Sequence, residues 1–331
     1  MTVDIKLRAL LEISKDNDDV NIHEWAIEVT TAFRYAEKNI RTLSYMIPAA
    51  INATIVQEKI IKQAIFSVTG GIEEPDSENS SRNIMNAIES GSGGGLGYNL
   101  EETLTGDLEN SLMRFEIMAT VPELFAGLQV YMSAILTTAW TSFEILTGDL
   151  WESALNHHPH ILSELRGNKN RIFSQTRPKG NAAADSSGGA TDKSVPLQLL
   201  QQYSYNLEAS MGSILRQSQS FDRLEGIRAA YSMAFSDDSN EIDGILARKN
   251  IDAINGVRNL LVHQGGRIDS RYLKSVSRIE GTPSGQIGAQ LLLDGQTVAD
   301  MVNDLITAGY DLIQAVDQWV QRHPDKRRTD S

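Results

Sequence analysis

"LFAGLQVYMSAILTTAWTSF", residues 124–143, carries no charged side chain over twenty positions. That is about the length needed to cross a bilayer, so its reading decides between a membrane protein and an all-helical globule. Gln129, Ser133, Thr137, Thr138, Thr141 and Ser142 interrupt the apolar run. Its flanks carry Glu116, Glu123, Glu144 and Asp149, with no Lys or Arg cluster to fix a topology. We read it as a helix buried on most sides at the centre of a helical bundle, and expect no membrane association and a cytoplasmic location.

Outward from this helix the periodicity stays helical. Trp25, Ile27, Val29, Ala32, Phe33, Ala36 and Ile40 recur at three- and four-residue steps. Pro48 is expected to break or end that run, and a second helix to continue towards the glycines at 70 and 71. The glycine-rich stretches around 70–98 enclose a short candidate helix at "NIMNAIE", and 100–118 again has helical spacing. "FEILTGDLWESALNHHPHILSEL" prolongs the pattern beyond the uncharged stretch. Residues 167–195 are polar and rich in Gly, Ser and Ala, and read as a mobile loop. Helical spacing returns from Leu197 to about Phe235, and another helix is expected over about 241–263, stopped by Gly265 and Gly266. "AQLLLDGQTV" is the one stretch that reads as strand and turn, a short hairpin-like segment near 290–298 with Asp294-Gly295 as the turn dipeptide. A last amphipathic helix over about 297–322 precedes Pro324, and 323–331 forms a basic tail. The fold class is therefore all-α, an up-and-down bundle of long helices, with a helical N-terminal part over 1–120 and a domain over 121–322.

Composition removes several chemistries. The chain has 331 residues, a formal charge of −13 and no cysteine. Disulfides, cysteine nucleophiles and thiolate zinc sites are excluded, and a surface that coats nucleic acid as a whole is disfavoured, although a local basic site is not. "GSGGGLG" lacks the register of a dinucleotide fingerprint and no apolar strand leads into it. "HEWAI" at 23–27 has Ile27 where a zinc-protease motif needs a second histidine. His157, His158 and His160 fall at a helix end with proline inside the set and no carboxylate close by, so no metal site is assigned.

"VRNLLVHQGG", residues 257–266, is different. On a helix Asn259 and His263 lie about 40° apart, one turn from each other, while Arg258 stands about 140° from His263 and reaches the same place through its length. Leu260, Leu261 and Val262 are expected to face the core and hold the helix. Such a set suits phosphodiester chemistry. Histidine exchanges protons near neutrality, arginine offers a permanent planar charge to phosphate oxygens, and asparagine orients the imidazole or donates to phosphate. The plain alternative is a helix end whose Arg and His complement the C-terminal dipole. Between 248 and 278 the basic residues Arg248, Lys249, Arg258, Arg267, Arg271, Lys274 and Arg278 outnumber Asp252 and Asp269, a local positive patch in an acidic chain. Lys249, Arg267, Arg271 and Lys274 are the candidates for contacting RNA.

"ILARKNIDAINGVRNLLVHQGGRIDSRYL" resembles the HEPN superfamily, in particular its stand-alone, RNA-cleaving branches. Arg258, Asn259 and His263 fill the places of that family's arginine, polar residue and histidine at a helix end. "HQGGRIDSRYL" and "AQLLLDGQTVADMVNDL" are similar to its C-terminal continuation, and "TTAWTSFEILTGDLW" to the helix that opens the domain. The resemblance covers about 121–322 and leaves 1–120 unmatched. It implies metal-independent RNA cleavage without a cofactor, of toxin or antiviral-defence type. The ribose 2′-hydroxyl attacks the adjacent phosphate to leave a 2′,3′-cyclic phosphate. Catalytic roles fall to His263 in proton transfer, Arg258 in stabilising the pentavalent phosphate, and Asn259 in positioning. It further implies a homodimer in which two motifs line one cleft, and a possible regulatory protein partner. One toxin branch of the family carries a tyrosine two residues past the histidine; Gly265 stands there, so that branch's mode of control is not carried over. Glu144, on the opening helix, is a candidate to support the site, its place in "SFE" being the sole ground for it. A non-catalytic HEPN-like module that binds RNA, a nucleotide or a protein is the alternative, and a purely structural helical protein the third.

Overall fold

The computed structural model describes residues 6–13, 22–69, 121–172, 197–277 and 279–324, with the side chains of Leu11 and 51–69 left aside. Helices α1 (Glu24–Thr69), α2 (Pro122–His157), α3 (Pro159–Leu162), α4 (Leu197–Gln202), α5 (Met211–Arg216), α6 (Leu224–Ala234), α7 (Asn240–Leu246), α8 (Lys249–Gln264), α9 (Ser270–Val276) and α10 (Gly295–Arg322) make up the described chain. No strand occurs among the described residues, and the protein is all-α with long helices. No helix among them is long and apolar enough to cross a membrane.

Among the described residues four helices form the bundle, and cross-helix bonds fix their directions. The Tyr131 hydroxyl of α2 reaches the carbonyls of Leu43 and Ser44 on α1, while Ser153 further along α2 reaches Trp25 near the start of α1. α1 and α2 are therefore antiparallel. Gln129 near the start of α2 accepts from the amide of Leu293 and donates to its carbonyl, just ahead of α10. Phe33 of α1 and Leu146 of α2 both close on Gly309 of α10, so α2 and α10 run the same way. α8 opposes α10: Arg248 pairs with Asp311 at 2.5 Å, and Gly266 past its other end accepts from the Leu291 amide at 2.7 Å.

The uncharged stretch lies inside α2, the central helix. Trp140, Phe143 and Trp151 are fully buried there, and Leu128, Met132, Ile135, Leu136 and Leu146 line the same core. Each fully buried side chain of this kind contributes on the order of 1.5–3 kcal/mol. Phe33 and Ile40 of α1, with Leu7 and Leu10 from a 3₁₀ turn over Leu7–Glu12, enter that same core. Part of 1–120 thus packs directly on 121–322.

Pro48 does not end the first helix; it sits buried inside α1. A proline removes the amide that would bond the carbonyl four residues back. Here that carbonyl belongs to Ser44, and the Tyr131 hydroxyl supplies the missing donor at 2.7 Å. The helix expected from Leu197 to Phe235 is three short helices, α4, α5 and α6. The one expected over 241–263 breaks between Leu246 and Lys249. The buried Arg228 explains this break: its Nε donates to the Leu246 carbonyl at 2.8 Å and its Nη1 to Asp252 at 2.8 Å, tying the end of α7 to the first turn of α8.

The hairpin-like segment near 290–298 is corrected as well. Residues 266–268 and 288–291 exchange backbone bonds but form only an isolated antiparallel bridge, Arg267 with Gln290. Asp294 is the N-cap of α10, its carboxylate accepting from the Thr297 amide at 2.8 Å, with Gly295 as the first helical residue. The segment read as a loop from 167 starts out fixed: the Gly167 amide bonds the Met233 carbonyl, Arg171 pairs with Asp243 at 2.6 Å, and Ile172 is fully buried. Residues 173–196 lie outside the described residues, as do the "NIMNAIE" and 100–118 candidates and nearly all of the basic tail.

Candidate functional site

α8 carries the motif, and its buried stripe decides which way it faces. Ile251, Ile254, Val257 and Leu260 recur at three-residue steps and are buried. Leu261 is only partly buried against the core, and Val262 is 51% exposed. The expectation that Val262 faces the core is overturned, because the stripe has rotated past it by the last turn. The helix stops as read from the sequence. Gly265 (φ 58°) and Gly266 (φ 77°) take left-handed backbone, and the Gly266 amide closes on the Leu260 carbonyl at 3.0 Å. The Gln290 side chain caps the Gly265 carbonyl at 2.8 Å, so the turn after the motif is held from the 288–291 segment.

Arg258 Nη1 donates to Asn259 Oδ1 at 3.1 Å, and Asn259 Nδ2 donates to Asn255 Oδ1 at 3.1 Å one turn earlier. On its other side Arg258 Nη2 lies 3.5 Å from Glu144 Oε2 of α2, with side-chain exposures of 18% and 12%. Glu144 Oε1 in turn accepts from the Trp140 indole at 2.6 Å. Burial pushes the Glu144 carboxyl above its usual range, opposed by the Trp140 indole N–H and by the charge of Arg258, both of which favour the carboxylate. Asp222, ahead of α6, adds a second negative charge near the guanidinium. Its carboxyl is held below the usual range first by the Ser220 hydroxyl and in small part by Arg258.

His263 is exposed at the end of α8, one turn past Asn259, and its ring makes no hydrogen bond to any described residue. The structure therefore joins Arg258 to Asn259 directly and leaves His263 beside them, free to meet solvent or a ligand. Arg267, Arg271 and Lys274 are exposed on the turn and on α9, and α9 packs back along α8 through Tyr272 and Val276 at Gly256. None of the three forms an ion pair among the described residues. Lys249 is also exposed, but it begins α8 and stands about 21 Å from His263 along the helix axis. It does not share the place of the other three. The positive patch is smaller than the sequence count suggests. Arg248 is spent on Asp311 and Arg258 faces Glu144, while of the two acidic residues Asp252 is itself spent on Arg228 and Asp269 caps α9 by accepting from the Tyr272 amide. Arg278 lies outside the described residues.

Trp140, Asn255 and Asp222 are neighbours of the site that sequence reasoning did not single out. Two carried a signal, since Trp140 precedes Glu144 by four residues and Asn255 precedes Asn259 by four, the spacing of facing helical neighbours. Asp222 carried none. The histidines at the end of α2 do other work: His157 Nδ1 meets the Ser153 carbonyl at 2.9 Å, and the rings of His157 and His158 flank Trp25. Among the described residues no group of three or more His, Asp or Glu is arranged to hold a metal. Comparison of the chain with protein-family models, with curated proteins and with solved structures gives no match.

Proposed function

We propose that this chain is a HEPN-like, metal-independent endoribonuclease of toxin or antiviral-defence type. One arrangement supports it: Arg258 is held in place on two of its nitrogens, five residues ahead of an exposed, uncommitted histidine and bonded to Asn259, which lies one helical turn from that histidine. In the proposed reaction the ribose 2′-hydroxyl loses its proton and attacks the adjacent phosphorus. The bond to the 5′-oxygen breaks and that oxygen takes up a proton, leaving a 2′,3′-cyclic phosphate and a 5′-hydroxyl. His263 handles a proton, and Arg258 stabilises charge on the pentavalent phosphate. Asn259, bonded to the guanidinium, positions it. Arg267, Arg271 and Lys274 supply phosphate contacts along the strand, which Lys249 would join only for an RNA long enough to span α8. Two proton transfers and a single site histidine per chain fit a homodimer with two motifs in one cleft, acting in the cytoplasm under a regulatory protein partner.

The test is a matched pair of oligonucleotides, one RNA and one with deoxyribose at every position, incubated with the protein in EDTA. Cleavage confined to the RNA is expected, since the nucleophile is the 2′-hydroxyl. Cleavage of both would assign a different nucleophile. A second reading, a non-catalytic RNA-binding module of the same fold, is favoured by the pairing of Arg258 with Glu144, which leaves the guanidinium neutralised. It predicts salt-dependent binding of RNA that stays intact.

A further inference from the structure

Glu144 faces Arg258 from α2 and is itself fixed, because its second oxygen accepts from the indole of the fully buried Trp140. Arg258 is fixed from the other side by Asn259, which is braced by Asn255. A half-buried guanidinium needs a counter-charge, and Glu144 is the carboxylate that meets it. Yet the separation of 3.5 Å exceeds the ~2.7–2.9 Å of a charge-assisted hydrogen bond. The pair orients the guanidinium without saturating it, so an arriving phosphate oxygen has a donor left to take.

We infer that Glu144 is a positioning residue for Arg258, one that holds the guanidinium for the transition state while competing with the bound phosphate for its charge. This rests on the reading of the site as an RNA-cleaving centre. Phosphate at Arg258 brings a new anion next to Glu144, with Asp222 adding repulsion from the segment ahead of α6. The elevated carboxyl of Glu144 fits that role, since burial already opposes its charge. Glu144→Gln keeps the shape and the acceptor for Trp140 but removes the charge and turns an amide donor towards the guanidinium. The expected signature is split: RNA binds more tightly, because the competing charge is gone, and turnover slows, because Arg258 is no longer held. A substitution that merely loosened the fold would weaken both.

Binding is measured by fluorescence anisotropy with a labelled single-stranded RNA of mixed sequence, in EDTA. It uses His263→Ala and His263→Ala/Glu144→Gln, so that the RNA stays intact, with circular dichroism to check that both are folded. We expect the double variant to bind about fivefold more tightly, the effect of one unit charge ~4 Å away under water-like screening. The dependence of log Kd on log salt should steepen by about one, as one more phosphate is neutralised. In the active background, Glu144→Gln should lower kcat and KM together. Unchanged or weaker RNA binding after Glu144→Gln overturns the inference and leaves the function reading standing, as does an unchanged kcat. Failure of His263→Ala to bind RNA at any salt overturns the RNA reading, and this inference with it.

Discussion

Tyr131→Phe removes one oxygen atom from the interior, and the structure says where the loss falls. The hydroxyl lies 2.6 Å from the Leu43 carbonyl and 2.7 Å from the Ser44 carbonyl and shares its one proton between them. In a continuous helix the Ser44 carbonyl would accept from the amide of residue 48, but residue 48 is proline. Phenylalanine therefore leaves a buried acceptor with neither donor. A hydrogen bond contributes about 0.5–1.5 kcal/mol net, whereas an orphaned buried acceptor costs about 1–3 kcal/mol, so the total should be roughly 2–3 kcal/mol. Pro48→Ala returns an amide to Ser44, and in that background Tyr131→Phe should cost only about 0.5–1.5 kcal/mol. Urea denaturation of the four proteins of this double-mutant cycle measures the coupling, expected at about 1–2 kcal/mol. Alkaline pH gives a second readout. Burial raises the Tyr131 hydroxyl from 10.0 to about 12. Its contribution is thus fully present below pH 10 and is lost as pH climbs towards 12, because the unfolded chain releases that proton first. The gap between wild type and Tyr131→Phe should narrow over that window. An equal cost of Tyr131→Phe with and without Pro48 would refute the idea that the hydroxyl substitutes for the missing amide.

Three further outcomes are expected. Gly309→Ala should destabilise the bundle by about 1–3 kcal/mol in thermal or urea unfolding, despite the better helix propensity of alanine. Its Cβ would lie 2.4 Å from Phe33 Cζ and 2.9 Å from Leu146 Cδ2, where three helices meet. Asp294→Ala should cost about 1 kcal/mol by removing the cap on the Thr297 amide, whereas Asp294→Ser should retain most of that stability. Arg228→Met should cost several kcal/mol, at the lower end of the ~3–5 kcal/mol of a broken buried pair because Asp252 is partly exposed. It should also speed amide exchange in the first turn of α8, readable by hydrogen exchange and mass spectrometry.

The sequence shows the helices through their apolar spacing, and it shows the end of α8 through Gly265 and Gly266, because both are local signals. It misleads where a distant side chain decides a local question. Pro48 reads as a helix end until Tyr131, distant in the chain, satisfies Ser44. The break between α7 and α8 is invisible because Arg228 makes it from another helix. Asp294-Gly295 reads as a turn because the same two residues suit a hairpin and a helix N-terminus, and only the tertiary setting selects the cap. At the site, periodicity places Asn259 and His263 on one face, but whether Arg258 reaches inward depends on Glu144, whose own position follows from packing around Trp140. The basic patch shrinks for the same reason: the sequence counts charges, and the fold pairs Arg248 with Asp311 and Arg258 with Glu144.

The most direct test of the functional reading is end-group analysis of a mixed RNA pool incubated in EDTA with the purified protein and, in parallel, with its His263→Ala variant. Cleavage by the wild type alone is expected, with 2′,3′-cyclic phosphate and 5′-hydroxyl ends. Equal cleavage by both proteins, 3′-hydroxyl ends, or intact RNA in both reactions would contradict it.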